Sequence, residues 1–155
     1  MAVVYPTFMS TIGETTFRVR YSETDAMAVV YNANYLVWFE LGRVELLRQC
    51  GFSYRQMEQD GFNLPVVEVR CRYKHPARYD DEILIRTRLT QMRSTFLHFV
   101  YEVVRKSDGR LLAEGESMHV VVDRSGKRAP LSGKYLEAIG AAVEQKPHAA
   151  APQPS

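Results

Sequence analysis

The sequence predicts an α+β domain in which one long central helix is wrapped by a curved, five-stranded antiparallel sheet. Three observations carry that prediction. The hydrophobic pattern reads strand, long helix, four consecutive strands, short helix. The strand segments alternate apolar and polar residues with period two, the mark of half-buried strands. The opening of the long helix, "YLVWF" at 35–39, is apolar on every face, which marks a helix buried nearly all round rather than one lying on a surface. Such a helix needs a sheet that curves around it. Five strands cannot cover all its faces, so a second copy of the chain is expected to complete the burial.

Each element has its own signal. Residues 1–14 read as an N-terminal extension, 15–143 as the domain and 144–155, "EQKPHAAAPQPS", as a Pro/Ala-rich disordered tail. In "TFRVRY", Phe17, Val19 and Tyr21 alternate with Arg18 and Arg20, predicting a strand through Tyr21. A loop carrying Asp25 follows, then a helix from Ala33 to Cys50 closed by Gly51 in a left-handed cap. A polar, Gly-containing stretch leads to "VVEVRCRYK", where Val67, Val69, Cys71 and Tyr73 alternate with Glu68, Arg70, Arg72 and Lys74. "EILIRTRLTQM" and "TFLHFVYEVVRK" are two further strands. Asp-Gly in "SDGR" marks a hairpin into "LLAEGESMHVVVD", and an amphipathic helix is predicted over 132–143.

Composition removes several function classes. At 155 residues the chain is one domain with room for a real core. A net charge of +2, with no Lys/Arg run, argues against a nucleic-acid partner. No apolar run has membrane-spanning length, and "MAVVYPTFMSTIGE" lacks the basic start and continuous apolar core of a signal peptide. Cys50 and Cys71 show no CxxC or Cys/His spacing and fit a reduced, cytoplasmic setting. His75, His98, His119 and His148 are scattered, no G-x-S-x-G elbow is present, and no cluster has metal-ligand spacing.

The stretch "YSETDAMAVVYNANYLVWFE" at 21–40, with "HPARYDDEI" at 75–83, resembles the hotdog-fold acyl-CoA thioesterases of the 4-hydroxybenzoyl-CoA thioesterase and YbgC-like group. The resemblance runs from about Phe17 to Ile139 and rests on an ordered pattern: Tyr, three residues, Asp, six residues, a helix-opening residue, then Asn-Tyr-Leu and Phe-Glu. It implies hydrolysis of an acyl-CoA thioester with Asp25 as nucleophile or general base. The backbone N–H of Asn32, at the start of the central helix, becomes the donor to the thioester oxygen, where unpaired N–H groups and the helix dipole favour developing negative charge. Tyr21 matches a tyrosine near the acyl group and Glu40 a pocket-lining position. Arg93, with Ser94 and Thr95, matches a hairpin that holds the CoA nucleotide; Arg70, Arg72, Lys74, Arg86 and Arg88 compete for that task. No metal or cofactor is implied beyond the CoA of the substrate. A homodimer joined at sheet edges, with sites across its interface, and a homotetramer of two such dimers follow from the same resemblance.

Two positions depart from that pattern. Asn32 stands where many members carry His, and Ala28 where Gly is frequent; Ala28 is expected to exclude the positive-φ conformations Gly tolerates. Each site residue also has a plainer reading. Asp25 can be a turn residue, Asn32 or Asn34 a helix N-cap, Tyr21 an inward core residue and Glu40 a solvated helix residue. Beside the thioesterase stand a hotdog dehydratase, for which no Asp–His pairing is seen, and a non-catalytic module binding acyl-CoA or acyl carrier protein. The bulky Met27, Tyr31 and Trp38 point to a limited cavity suited to short or aromatic acyl groups, with medium chains also within the expected range.

Overall fold

The structure, a computed structural model, describes residues 12–145. It has five strands, β1 (Ile12–Arg18), β2 (Val66–Tyr73), β3 (Glu82–Arg93), β4 (Phe96–Arg105) and β5 (Arg110–Val120), and three α-helices, α1 (Asn34–Gln49), α2 (Tyr54–Gln59) and α3 (Gly133–Gln145). The strands form one antiparallel sheet in the order β1-β3-β4-β5-β2. This is the expected α+β hotdog arrangement, a helix held in a curved sheet. Of the assigned extension, residues 1–11 lie outside the described residues, and β1 begins at Ile12. The disordered tail assigned to 144–155 falls outside them from residue 146 on.

α1 lies on the sheet because one of its faces is built for contact. Tyr35, Trp38, Phe39, Leu46 and Leu47 are buried, and Phe39 stacks on Tyr101 of β4 with centroids 4.4 Å apart. Gly42 lets the helix backbone approach β3: a Cβ there would sit 2.8 Å from Ile85 Cγ2 and closer still to Thr87 Oγ1. The helix ends as read. Gly51, at φ +101°, donates to Arg48 O at 3.0 Å and Phe52 to Leu47 O at 3.3 Å, a Schellman closure.

The other face of α1 is left open within one chain, as expected of a helix that five strands cannot cover. Leu36, Val37 and Leu41 are 38%, 54% and 37% exposed. β2 is open as well, with Val66, Val67, Val69 and Tyr73 all exposed and its outer edge unpaired among the described residues.

Two local expectations are corrected. β1 ends at Arg18, and Tyr21 sits in a single 3₁₀ turn (Tyr21–Glu23), 77% exposed, rather than on the inner face of a strand. α2 falls within the polar stretch read as a connection. Ser53 caps it by accepting from the Gln56 N–H at 3.2 Å, and Met57 is its one buried side chain.

Candidate active site

The segment from Val19 to Ala33 carries the site, and its backbone bonds say why it is rigid. Val19 exchanges hydrogen bonds with the turn before β3, donating to Asp81 O at 2.9 Å and accepting from Asp80 N at 3.0 Å. Val30 donates to Ala77 O at 2.8 Å. Between these anchors the chain closes on itself: Thr24 bridges Val30, Asp25 N–H donates to Val29 O and Ala28 N–H to Asp25 O, the last two both at 2.9 Å.

Ala28 closes this turn at φ +59°, in the left-handed region. The expectation that Ala would exclude that region is overturned. The flanking bonds hold the residue there at a cost of about 1–2 kcal/mol for an L-residue.

Asp25 answers to both of its readings. Its Oδ1 accepts the Met27 N–H at 2.9 Å, an Asx turn. Its Oδ2 takes no hydrogen bond from the described residues, and the half-buried side chain lines a cavity of about 360 Å³. Asn32 lines the same cavity, with Tyr31, Tyr35, Tyr73 and His75.

Asn32 opens the last turn before α1. The first helical N–H groups bond locally, Asn34 to Tyr31 O and Tyr35 to Asn32 O, while the N–H groups of Asn32 and Ala33 have no acceptor among the described residues. The Asn32 carbonyl is held from the other side by the Tyr73 hydroxyl at 2.8 Å, which burial and the neighbouring Cys71 push up to about 12. Neither Asn acts as the cap: Asn34 Nδ2 instead donates to Glu23 O at 2.8 Å.

Glu23 was not singled out from the sequence, and it is the most buried carboxylate among the described residues, 5% exposed. Its Oε2 accepts the Trp38 indole N–H at 2.7 Å, and its Oε1 accepts the Arg20 N–H at 2.8 Å and Arg20 Nε at 3.4 Å. Burial alone would push this carboxyl up, but the Arg20 N–H, the Trp38 N–H and the Arg20 side chain together hold it below its ordinary value. A feature of the pattern that could have marked it is its spacing: a Glu two residues before the loop Asp, with a Trp four residues after the first helical Asn.

The remaining site residues are not brought to this cavity within one chain. Tyr21 packs edge-on against Tyr79, with centroids 5.7 Å apart. Glu40 is exposed on α1 and borders a different cavity, of about 400 Å³, with Arg43, Tyr54, Glu58 and Val66. Arg93, Ser94 and Thr95 form the β3–β4 hairpin, with Arg93 against the Phe96 ring at 5.8 Å. They lie at the opposite end of β3 from the Asp25 loop, about 36 Å away along a 12-residue strand. Of the bulky residues expected to limit the cavity, only Tyr31 lines it; Met27 is 79% exposed and Trp38 is core. His75 also borders the Asp25 cavity. His119 is buried, and burial pushes it down to about 4.

A carboxylate and an N–H without an acceptor among the described residues, on two residues that line one cavity just ahead of α1, are the kinds of group an acyl-transfer site requires. A sequence profile described as the thioesterase-like superfamily matches residues 19–142, and the chain belongs to that superfamily. It is 39% identical over 106 residues to the acyl-CoA thioester hydrolase YbgC of Escherichia coli O6:H1, covering 68% of this chain and 78% of that one. It is similar to the crystal structure of hypothetical protein TT1821 from Thermus thermophilus, with TM-score 0.79, 35% identity, and coverage of 84% and 98%. It also matches the DHNA-CoA thioesterase of Staphylococcus aureus, with TM-score 0.80, 28% identity, and coverage of 84% and 89%. The protein is a thioester hydrolase. No helix among the described residues is long and apolar enough to cross a membrane.

Proposed function

We propose that this chain hydrolyses acyl-CoA thioesters to free acid and CoA, with Asp25 as the reacting carboxylate and the Asn32 N–H as oxyanion donor. The observation that carries the reading is that Asp25, whose Oδ2 takes no hydrogen bond from the described residues, and Asn32, whose N–H has no acceptor among them, line one cavity.

Two routes share this geometry. As general base, Asp25 takes a proton from water while the water oxygen attacks the thioester carbonyl. The carbonyl oxygen gains negative charge beside the Asn32 N–H, the C–S bond breaks, and the proton passes from Asp25 to the CoA thiolate. As nucleophile, Oδ2 attacks the carbonyl, the thiolate leaves, and water hydrolyses the mixed anhydride to regenerate Asp25. Neither route uses a metal or a cofactor. A donor in the Asn32 position is worth roughly 10²–10³ in rate.

The aromatic lining of Tyr31, Tyr35 and Tyr73 suits a flat or short acyl group. The DHNA-CoA thioesterase neighbour supports an aromatic acyl-CoA as the first substrate to test. A thioester carried by acyl carrier protein is chemically equivalent at the reacting carbon, and a cytoplasmic site of action belongs to the same reading.

The working unit is a dimer, and a tetramer of two dimers is compatible with it. Exposed Val66, Val67, Val69 and Tyr73 make β2 an apolar, unpaired edge of a kind proteins cover. A second copy set antiparallel against β2 reverses the sheet, so its Arg93–Thr95 hairpin comes to the end that holds Asp25. Arg93 and the two hydroxyls then reach the CoA phosphates, and Glu40 of that copy approaches the acyl end.

The test is thiol release from acetyl- to palmitoyl-CoA, with benzoyl- and phenylacetyl-CoA, by wild type and Asp25→Asn. Turnover of one acyl class and a loss of at least about a hundredfold in the variant supports the reading. Equal rates overturn it, and two equally inert proteins favour a module that binds acyl-CoA or acyl carrier protein without cleaving it.

A further inference from the structure

Glu23 is a buried carboxylate with no part in the steps above, and it sits where two pieces of the site meet. Its side chain bonds Trp38, on α1, and Arg20, two residues past the end of β1. Its backbone carbonyl accepts two more bonds, from Tyr31 N–H at 2.9 Å and Asn34 Nδ2 at 2.8 Å. Asn34 and Trp38 are one turn apart on α1, so both face Glu23. Two residues beyond it is Asp25, and between its two carbonyl donors lies Asn32.

From this juxtaposition we propose that Glu23 is a positioning residue for thioester hydrolysis, clamping the loop that carries Asp25 to the helix start that carries the Asn32 N–H. The inference rests on the reading of Asp25 and Asn32 given above and adds the group that sets the distance between them.

The chemistry requires a carboxylate. The side chain meets N–H donors at both oxygens, Trp38 at Oε2 and the Arg20 backbone N–H and Nε at Oε1, and a carboxylate offers acceptors on both. Gln at the same place offers one acceptor and sets its own N–H₂ against the other donor. One of the two tethers is therefore lost while side-chain volume is kept. A purely structural role is a weak explanation, because a buried charge costs desolvation and an apolar residue of similar size serves stability as well or better. Catalytic geometry is more demanding than stability: misplacing a reacting group by about 1 Å can cost about a hundredfold in rate.

The experiment compares wild type, Glu23→Gln, Asp25→Asn and the double variant by kcat, KM and thermal unfolding. Alongside it, backbone amide NMR follows Met27, Asn32 and Ala33 against sheet amides such as Phe99 and Ala113. Glu23→Gln is expected to lower kcat about ten- to a hundredfold with KM within about twofold. It should shift the loop and helix-start amides while leaving the sheet amides in place, and cost nothing further in the Asp25→Asn background. An unchanged kcat with unmoved loop amides overturns the proposal. So does a loss of rate matched by a general fall in stability and shifts throughout the sheet, since that is a folding defect. If Asp25→Asn keeps full activity, the catalytic reading fails separately. The clamp is then judged on the amides alone, standing if they move with Glu23→Gln and falling if they do not.

Discussion

The two ends of β3 show how differently this chain treats its turns. At one end, the segment around Asp25 contains a buried carboxylate, an Asx turn, and free N–H groups at a helix start. The non-glycine residues at positive φ among the described residues, Ala28 and Asp80, are both there. At the other end, Ser94 and Thr95 turn the chain in two residues with no such strain, and their carbonyls accept Leu131 N–H and Val121 N–H. Strain and buried charge persist only where surrounding structure over-determines them, and they gather at functional sites. Under the proposed function, the Asp25 end carries the chemistry and the hairpin has the simpler task of presenting Arg93.

The largest expected effects come from breaking each end in turn. Asp25→Asn should remove about two to four orders of magnitude of kcat, the span for a positioned base. Arg93→Ala should leave kcat near wild type and raise KM about tenfold, because a charge-assisted contact is worth roughly 1.5–3 kcal/mol and this one is exposed. If each site combines Asp25 of one copy with Arg93 of the other, mixing the two variants rebuilds one intact site per heterodimer. At low substrate, heterodimers should then regain about half of wild-type kcat/KM. Mixed protein no better than the average of its parents would place both ends of one site in a single chain.

The two ends also separate by pH. Near the hairpin, His119 is opposite Leu97 and is buried in a chain of hydrogen bonds. Leu64 O can only accept, so His119 Nδ1 carries the proton, and Nε2 accepts from Ser117, which accepts from Tyr101. Burial pushes this imidazole from 6.5 down to about 4. The unfolded chain therefore binds the proton first, and stability falls as pH drops from 6.5 toward 4. The loss is at most about 3 kcal/mol for a shift of that size. Glu23 acts lower. Its folded value lies below the ordinary 4.5, so the stability it contributes is complete above 4.5 and disappears as pH falls through the folded value. Unfolding temperature measured from pH 8 to 3 should show the upper part of the acid limb flattened in His119→Gln and the lower part in Glu23→Gln. Unchanged limbs in both variants would mean that other groups set the acid sensitivity.

Much of the hairpin end was legible in the sequence, and less of the Asp25 end. Period-two alternation and a polar turn define β3 and β4 within a residue of their observed ends, because both signals are local. Gly51 marks the end of α1 for the same reason. Asp25 and Asn32 could be located as a pattern, but Glu23 looked like any solvated loop glutamate. Its partner Trp38 is fifteen residues away, and only the fold reveals the burial. Tyr21 continued the alternation of β1, yet the chain leaves the sheet after Arg18 to bond the turn before β3. The apolar outer face of α1 was read correctly as apolar. Hydropathy alone does not say what covers it; the expectation of a second copy comes from the strand count.

The smallest effect probes the strain itself. Ala28 is held at φ +59°, whereas Gly populates that region freely. Ala28→Gly should relieve about 1 kcal/mol or more of backbone strain and give back about 0.4–1 kcal/mol as unfolded-state entropy, a net gain of a few tenths to about 1 kcal/mol. The unfolding temperature should rise by roughly 1–3 °C in a chain of this size. Turnover should stay within about threefold, because Asp25 N–H, Ala28 N–H and Val30 N–H still bond as before. Ala28→Val should do the reverse, since a β-branched side chain at positive φ is a genuine outlier. The turn must then open, and stability and kcat fall together. If Gly destabilises the protein and Val is tolerated, residue 28 does not hold the left-handed conformation, and the contrast between the two ends of β3 rests on the clamp at Glu23 alone.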